Sequence, residues 1–176
     1  MTAPRKTALG TQVLSIACSA DGRFLRVTRI ARSKYTGIIE LDAATLAEVD
    51  ASRADWLPVA SLNESFSTRT RRWTAGEFGQ GLFVERLDGK LLTMPPPFNT
   101  ATELTVTAFA ISADERWAMV GSASGFVSVF DAASGAQRWA ARQHKGHVTA
   151  VCFSPDGQLA YSGNANGELC VVDLPA

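Results

Sequence analysis

The chain has 176 residues, 46% hydrophobic and 19% charged, which suits one packed domain and argues against disorder. Lys plus Arg equals Asp plus Glu at 17 each, so no global field draws the protein to nucleic acid or a membrane surface. Split at residue 100 the balance is 13 basic to 10 acidic and then 4 to 7, too mild an asymmetry to imply a polyanion partner.

Taken in order, Arg5 and Lys6 precede a mildly apolar stretch that ends at Ala17-Cys18-Ser19-Ala20. Thr11 and Gln12 interrupt it, so a strand is the better reading than a signal peptide. No run of 18 apolar residues occurs, and no membrane span is expected. Val13 to Cys18, Ser19-Ala20-Asp21-Gly22 and Arg23 to Ile30 read as strand, tight turn, strand, because Asp-Gly accepts the backbone angles a tight turn needs. Thr36 to Asp42 is a third strand and Thr45 to Val49 a short fourth. Further on, Trp56–Leu62, Phe66–Trp73, Gly81–Leu87 and Lys90–Met94 are expected to be four strands, the last two flanking Asp88-Gly89. Pro95-Pro96-Pro97 ends that group, since proline removes a ladder donor.

From residue 106 the chain holds one unit written twice. Val106 to Asp131 recurs without a gap as Val148 to Asp173, an offset of 42, with 11 of the 26 aligned positions identical. Strands are expected near Thr105–Ile111, Arg116–Val120, Phe126–Phe130 and Ala136–Ala141, then Val148–Phe153, Gln158–Ser162 and Glu168–Val172. The last group has no outer strand of its own. A period in the low forties built from short alternating segments is the pattern of four-stranded propeller blades. The fold class expected is all-β, a propeller of about four blades (roughly 11–50, 51–97, 104–142 and 146–174) in one domain, with an open or partial ring. Thr7 to Gly10 is the candidate to complete the last blade.

Gly146-His147, Val151 to Gly157, Ser162-Gly163 and Val171-Val172-Asp173 resemble a WD-repeat unit. In that family a His, a strand Ser or Thr, a turn Asp and a strand Trp form a buried hydrogen-bonded set. The resemblance implies His147 and Ser162 in their places, with Asn166 for the Asp and Val172 for the Trp. Asp131 and Asp173 close the two units at matching positions, and packing rather than polar pairing is expected to hold the blades. A narrower similarity runs through Thr107–Ser112, Val120-Gly121, Gly125–Val129, His144 and Val148-Thr149. These are similar to the terminal blades of the prolactin regulatory element-binding family, exchange factors for Sar-type GTPases. In that register His144, not His147, is the aligned histidine. The family's potassium-binding loop and membrane anchor have no counterpart in the sequence.

No residues assemble a catalytic set. His144 and His147 sit three apart, with no Cys or acidic cluster to complete a metal site and with Lys145 opposing a cation. A blade-junction histidine bonded to backbone or to a hydroxyl such as Ser162 is the stronger reading. Gly121–Gly125 and Gly163–Gly167 lack the Lys and helix of a phosphate loop and are read as hairpin turns. Arg69, Arg71 and Arg72 beside Trp73 form the sharpest basic cluster, either a docking patch for an acidic partner or a charged edge strand. Trp56, Trp117 and Trp139 are expected to pack between blades. Cys18, Cys152 and Cys170, odd in number and without paired spacing, fit reduced buried thiols.

The expected function is a non-enzymatic protein–protein interaction scaffold within a larger assembly, without catalytic residues, cofactor or metal. Its partners are other protein subunits, not nucleic acid, and its location is cytoplasmic. The alternative is a Sar-type exchange factor, with a small GTPase as partner, at the cytosolic face of the endoplasmic reticulum.

Overall fold

The computed structural model describes residues 4–30, 36–57, 66–67, 71–75, 82–86, 91–94 and 106–174. Among them every regular element is a strand, and no helix is long and apolar enough to cross a membrane. The strands are β1 (Arg5–Ala8), β2 (Val13–Cys18), β3 (Phe24–Ile30) and β4 (Thr36–Asp42). Next come β5 (Phe66–Ser67), β6 (Arg71–Ala75), β7 (Leu82–Arg86) and β8 (Leu91–Met94). The repeat supplies β9 (Val106–Ile111), β10 (Trp117–Ser122), β11 (Phe126–Asp131), β12 (Gln137–Arg142), β13 (Val148–Phe153), β14 (Leu159–Asn164) and β15 (Glu168–Asp173).

They form four antiparallel sheets: β2-β3-β4, β5-β6-β7-β8, β12-β11-β10-β9 and β1-β15-β14-β13. The order of the last sheet bears out the N-terminal segment as its outer strand and corrects only the bounds. The final group does gain an outer strand, because β1 pairs with β15 from Arg5↔Val171 to Ala8↔Glu168. The segment that closes it lies two residues earlier than Thr7 to Gly10. A second correction concerns Phe66 to Trp73, which is not one strand: β5 and β6 pair with each other, Phe66 opposite Trp73. Thr45 to Val49 is reduced to a single bridge between Leu41 and Glu48. Trp56 bridges back to Ser19 on the first sheet, while the rest of the Trp56–Leu62 expectation lies outside the described residues.

Three of the sheets stack in a row through their first strands, β9 beside β13 and β13 beside β2. The ring they begin is open. Alternation within each strand sends one side chain in two to each face, so a middle sheet is apolar on both faces. One core, with Trp117, Met119, Val129 and Phe153, fills the space between β9–β12 and the last sheet. Another, with Val13, Ile16, Leu25, Val27, Tyr161 and Leu169, joins the last sheet to β2–β4. Trp117 is therefore core, Trp139 packs on the same cluster, and Trp56 is half-buried under the Arg26 guanidinium, 4.1 Å from its ring centre.

Each of these three sheets has the same turn between its first two strands. The hydroxyls of Ser19, Ser112 and Ser154 donate to Asp21, Asp114 and Asp156 at 2.7, 2.6 and 2.5 Å. The same hydroxyls accept from the N–H of Phe24, Trp117 and Leu159, each at 2.9 Å. Residue four of the turn is left-handed in all three: Gly22, Glu115 and Gly157. Glu115, at φ 57°, carries the steric cost that glycine avoids, about 1–2 kcal/mol, set against about 0.5–1 kcal/mol for glycine's greater freedom when unfolded. Glu115→Gly is expected to raise stability by about 0.5–1 kcal/mol, measured as an upward shift of the urea midpoint with unchanged slope.

Candidate interaction site

The two stacked seams are built to one plan. A first-strand valine of one sheet seats on a second-strand glycine of the sheet before it. A Cβ at Gly121 would lie 2.3 Å from Val148 Cγ1, and one at Gly163 would lie 2.6 Å from Val13 Cγ1. Beside each contact a threonine reaches across, Thr107 Oγ1 donating to the Val148 carbonyl and Thr149 Oγ1 to the Val13 carbonyl. Only a missing side chain allows that approach, and the threonine satisfies a carbonyl that the stacking would otherwise leave dry.

The hairpin tip of each repeat then grips the connection into the next sheet. The Gly125 carbonyl accepts from Gln143 and His144 N–H at 3.0 and 3.1 Å, and the Gly167 carbonyl accepts from Leu9 N–H at 2.6 Å. Glycine is required at both tips. Gly125 has φ 89° and faces the His144 carbonyl, while Gly167 has φ 81° and faces the Thr11 backbone. These are the loops that a phosphate reading would have used, and the N–H and C=O groups of Gly125 and Gly167 are bonded within the protein itself.

That grip places His144, and here the structure departs from the resemblance. His144 is buried and its Nε2 lies 2.8 Å from Ser162 Oγ, whereas His147, the histidine expected at that place, is exposed. His144 sits four residues before the seam valine and its position is set by the Gly125 tip. His147 is adjacent to Val148 on the alternate, outward direction. On its other side His144 Nδ1 is 3.5 Å from Glu168 Oε2, and Cys170 Sγ is 3.9 Å away. Burial pushes the His144 pKa down to about 4, outweighing the Glu168 carboxylate, which pulls it up. Burial raises the Glu168 pKa, yet the Lys145 N–H, His144 and the Asn164 amide together hold it below the ordinary range.

Ser162, His144 and Glu168 stand in the order hydroxyl, imidazole, carboxylate. Ser162 and His144 are only 3% and 2% exposed, so no substrate carbonyl reaches the hydroxyl, and the arrangement acts as a clamp between β14, β15 and the 143–147 connection. Ser162→Ala strands His144 Nε2 in a dry site and is expected to cost about 1–3 kcal/mol in a urea melt.

The remaining expected residues are dispersed. Asp131 caps its own turn, accepting from Ser134 N–H and hydroxyl at 2.9 and 2.8 Å, which lowers its pKa to about 2, and pairs with Arg138 at 3.2 Å. Asp173 lies 4.0 Å from Arg5 on β1, tying the terminal strand to β15. Asn166 is exposed, and the buried turn amide is Asn164, whose Oδ1 accepts from Asn166 and Glu168 N–H at 3.0 and 2.8 Å. Arg71, Arg72 and Trp73 lie on β6, and Arg69 lies outside the described residues. The register sets Arg71 opposite Arg86 and Arg72 opposite Glu85.

The sequence reading left two candidate histidines and set His147 in the WD-type network, where the structure has His144; it missed Glu168 and the Val–Gly–Thr seam. The seam's signal was present, since Val, Thr and Gly are among the positions identical between the two repeats.

One sheet face differs from the rest. At the places where Thr107 and Thr149, and Gly121 and Gly163, build the seams, β2–β4 carries Leu14 and Thr28. Leu14, Ile30 and Ile38 are 36%, 39% and 63% exposed and are the exposed large hydrophobics among the described residues. All three point away from the last sheet. Thr28 pairs with Ile38 across the strands, bringing the group together. On this face Arg26 pairs with Glu40 at 2.9 Å.

Among the described residues no group of three or more His, Cys, Asp or Glu is placed to hold a metal ion. A shallow cleft beside the first turn is lined by Asp21, Phe24 and residues 50–54. Its two carboxylates are spent on the N–H groups of Arg23 and Ser52 at 3.1 Å each. Cys18, Cys152 and Cys170 are free thiols; burial pushes Cys18 up to about 12 and Cys170 up to about 11.

A family model described as the WD domain, G-beta repeat, matches residues 140–173. Among solved structures the chain is similar to the β-propeller domain of Myceliophteria thermophila Cps50 (Swd1), at 17% identity and TM-score 0.53, covering 93% of this chain and 52% of that one. It is also similar to the computationally designed Ika8 protein, at 18% identity and TM-score 0.51, covering 92% of this chain and 46% of that one. The designed Ika4 protein matches at 18% identity and TM-score 0.52, over 96% of both chains. The chain thus spans about half the length of the first two. No curated protein matches it.

Proposed function

We propose that the chain, which has a β-propeller-type fold and matches a WD repeat over residues 140–173, is a non-enzymatic interaction scaffold and a subunit of a larger assembly. One observation carries this reading: the ring is open and the face at one end of its stacked row leaves Leu14, Ile30 and Ile38 in water. Within the chain such faces are covered by another sheet, and an uncovered one of this kind is a contact surface. The buried polar groups support it, since Ser162, His144 and the seam threonines are consumed in holding sheets together. Arg69, Arg71 and Arg72 beside Trp73 are proposed as a second contact, for an acidic partner surface, because they form the sharpest basic cluster in the sequence. The proposed location is cytoplasmic.

A tagged full-length chain captured from its source tests the reading. Stoichiometric protein partners that survive high-salt washing are expected, and a chain that elutes as a lone monomer at all concentrations contradicts it.

A second reading, exchange on a Sar-type GTPase, keeps one observation in its favour: the buried histidine is His144, the one that resemblance aligns. Release of labelled GDP from such a GTPase, unchanged by the protein, removes it.

A further inference from the structure

We propose that β1 is a proton-sensitive clasp, which lifts from β15 while the rest of the last sheet stays folded. A proton on His144 drives the lifting, because it sets a second cation beside the Lys6 ammonium. The strand itself has no apolar anchor. Arg5, Lys6 and Ala8 are exposed and Thr7 is half-buried, whereas Leu169, Cys170 and Val171, which they face, are buried. Besides the ladder, polar contacts hold it. Arg5 donates to the Ala44 carbonyl and lies 4.0 Å from Asp173, and Lys6 Nζ donates to the Gln143 carbonyl. An ion pair as exposed as Arg5–Asp173 contributes little. Beyond Ala8 the chain is fixed, since Leu9 packs on the core and its N–H bonds the Gly167 carbonyl. The Gln12 carbonyl then accepts from Ile30 N–H at 3.0 Å. Opening is thus confined to the 4 residues of β1, a unit that opens at a lower free energy than the whole fold.

Lys6 is where the clasp meets the buried cluster. Its ammonium bonds the carbonyl of Gln143, the residue before His144. Cys170, paired with Lys6 across the ladder, sets its Sγ 3.8 Å from that carbonyl and 3.9 Å from His144 Nδ1. Among the described residues, the groups around the imidazole are Lys6 from β1, Glu168 and Cys170 from β15, and Ser162 from β14. Lys145, on the histidine's own connection, gives its N–H to Glu168. Burial holds the imidazole down to about 4 against the pull of Glu168, and the Lys6 charge acts in the same direction as burial. Lifting β1 removes that charge and admits water, so the ring binds a proton more readily with the clasp open. By linkage the open form gains as pH falls from the ordinary 6.5 of the ring toward about 4. What acid then uncovers is the main-chain edge of β15.

Amide hydrogen exchange of the full chain, followed residue by residue in small pH steps and corrected for the intrinsic rate at each pH, tests the proposal. The amides of β1, and those facing them on β15, are expected to exchange ahead of β13 and β14 throughout. Their protection is expected to fall by up to about tenfold per pH unit below about 6.5. His144→Gln is expected to flatten that fall. Lys6→Met, at an exposed position that leaves the fold intact, is expected to make it shallower. A lysine that merely tethers the strand would shift the level of protection and leave its slope. Protection of β1 that is constant with pH, or that coincides with that of β14 at every pH, overturns the proposal. So does an unchanged slope in Lys6→Met.

Discussion

Alanine at Gly125 is expected to cost about 2–5 kcal/mol. Two terms add. A residue with a Cβ held at φ 89° meets about 1–2 kcal/mol of left-handed strain. The Cβ itself would lie 2.1 Å from the His144 carbonyl oxygen, and overpacking of that kind costs about 1–3 kcal/mol. The obstacle is backbone already held by two hydrogen bonds to Gly125, so it cannot swing aside as a side-chain tip would. Because the same tip positions His144, the variant is also expected to lose the Ser162 bond. Chemical denaturation gives the stability change, and the His144 imidazole resonances report the displacement. A loss below about 1 kcal/mol would mean that the tip does not hold the connection.

Acid is expected to weaken the protein through His144. Its folded pKa is depressed to about 4 by burial, against an ordinary 6.5 when unfolded. The unfolded chain therefore takes up a proton that the folded chain refuses between those values. Stability falls as pH drops from about 6.5 to about 4, by about 1.4 kcal/mol per unit, approaching about 3 kcal/mol in all. Above about 6.5 this contribution is constant. Glu168 acts in a lower window, since its depressed pKa makes its contribution fade as pH falls below the ordinary carboxylate range. Asp131, at about 2, follows lower still. Urea midpoints at steps from pH 7.5 to 4 are expected to slope for the wild type and flatten for His144→Gln. Parallel slopes would show that His144 titrates freely in the fold.

Much of the fold was legible because its signals are local. The Ser-x-Asp turns need a hydroxyl and a carboxylate two residues on, readable at Ser19, Ser112 and Ser154, and a left-handed fourth residue, which glycine signals at Gly22 and Gly157 but Glu115 does not. Strand ends from β9 to β15 lie within two residues of those expected from alternation and turn residues. Phe66 to Trp73 misled because one apolar-polar pattern fits a single strand as well as a hairpin. The histidine misled for a different reason. His144 and His147 are equally near the repeat, and only the grip of the Gly125 carbonyl on the 143–144 backbone turns the first inward. The acceptor for its second nitrogen, Glu168, lies 24 residues on and joins it through β-sheet pairing that no short window contains.

By itself the sequence determined that the chain is built of repeated four-strand units with hydroxyl–carboxylate turns, that valine, threonine and glycine recur at fixed repeat positions, and that its charge is balanced. The tertiary structure decided which histidine is buried, that β1 completes the last sheet, and that β2–β4 carries the uncovered face. The reason is physical. Turns and strand faces follow from neighbours in the chain, whereas a seam valine finds its glycine, and Leu14 finds no partner, only when sheets distant in sequence are stacked.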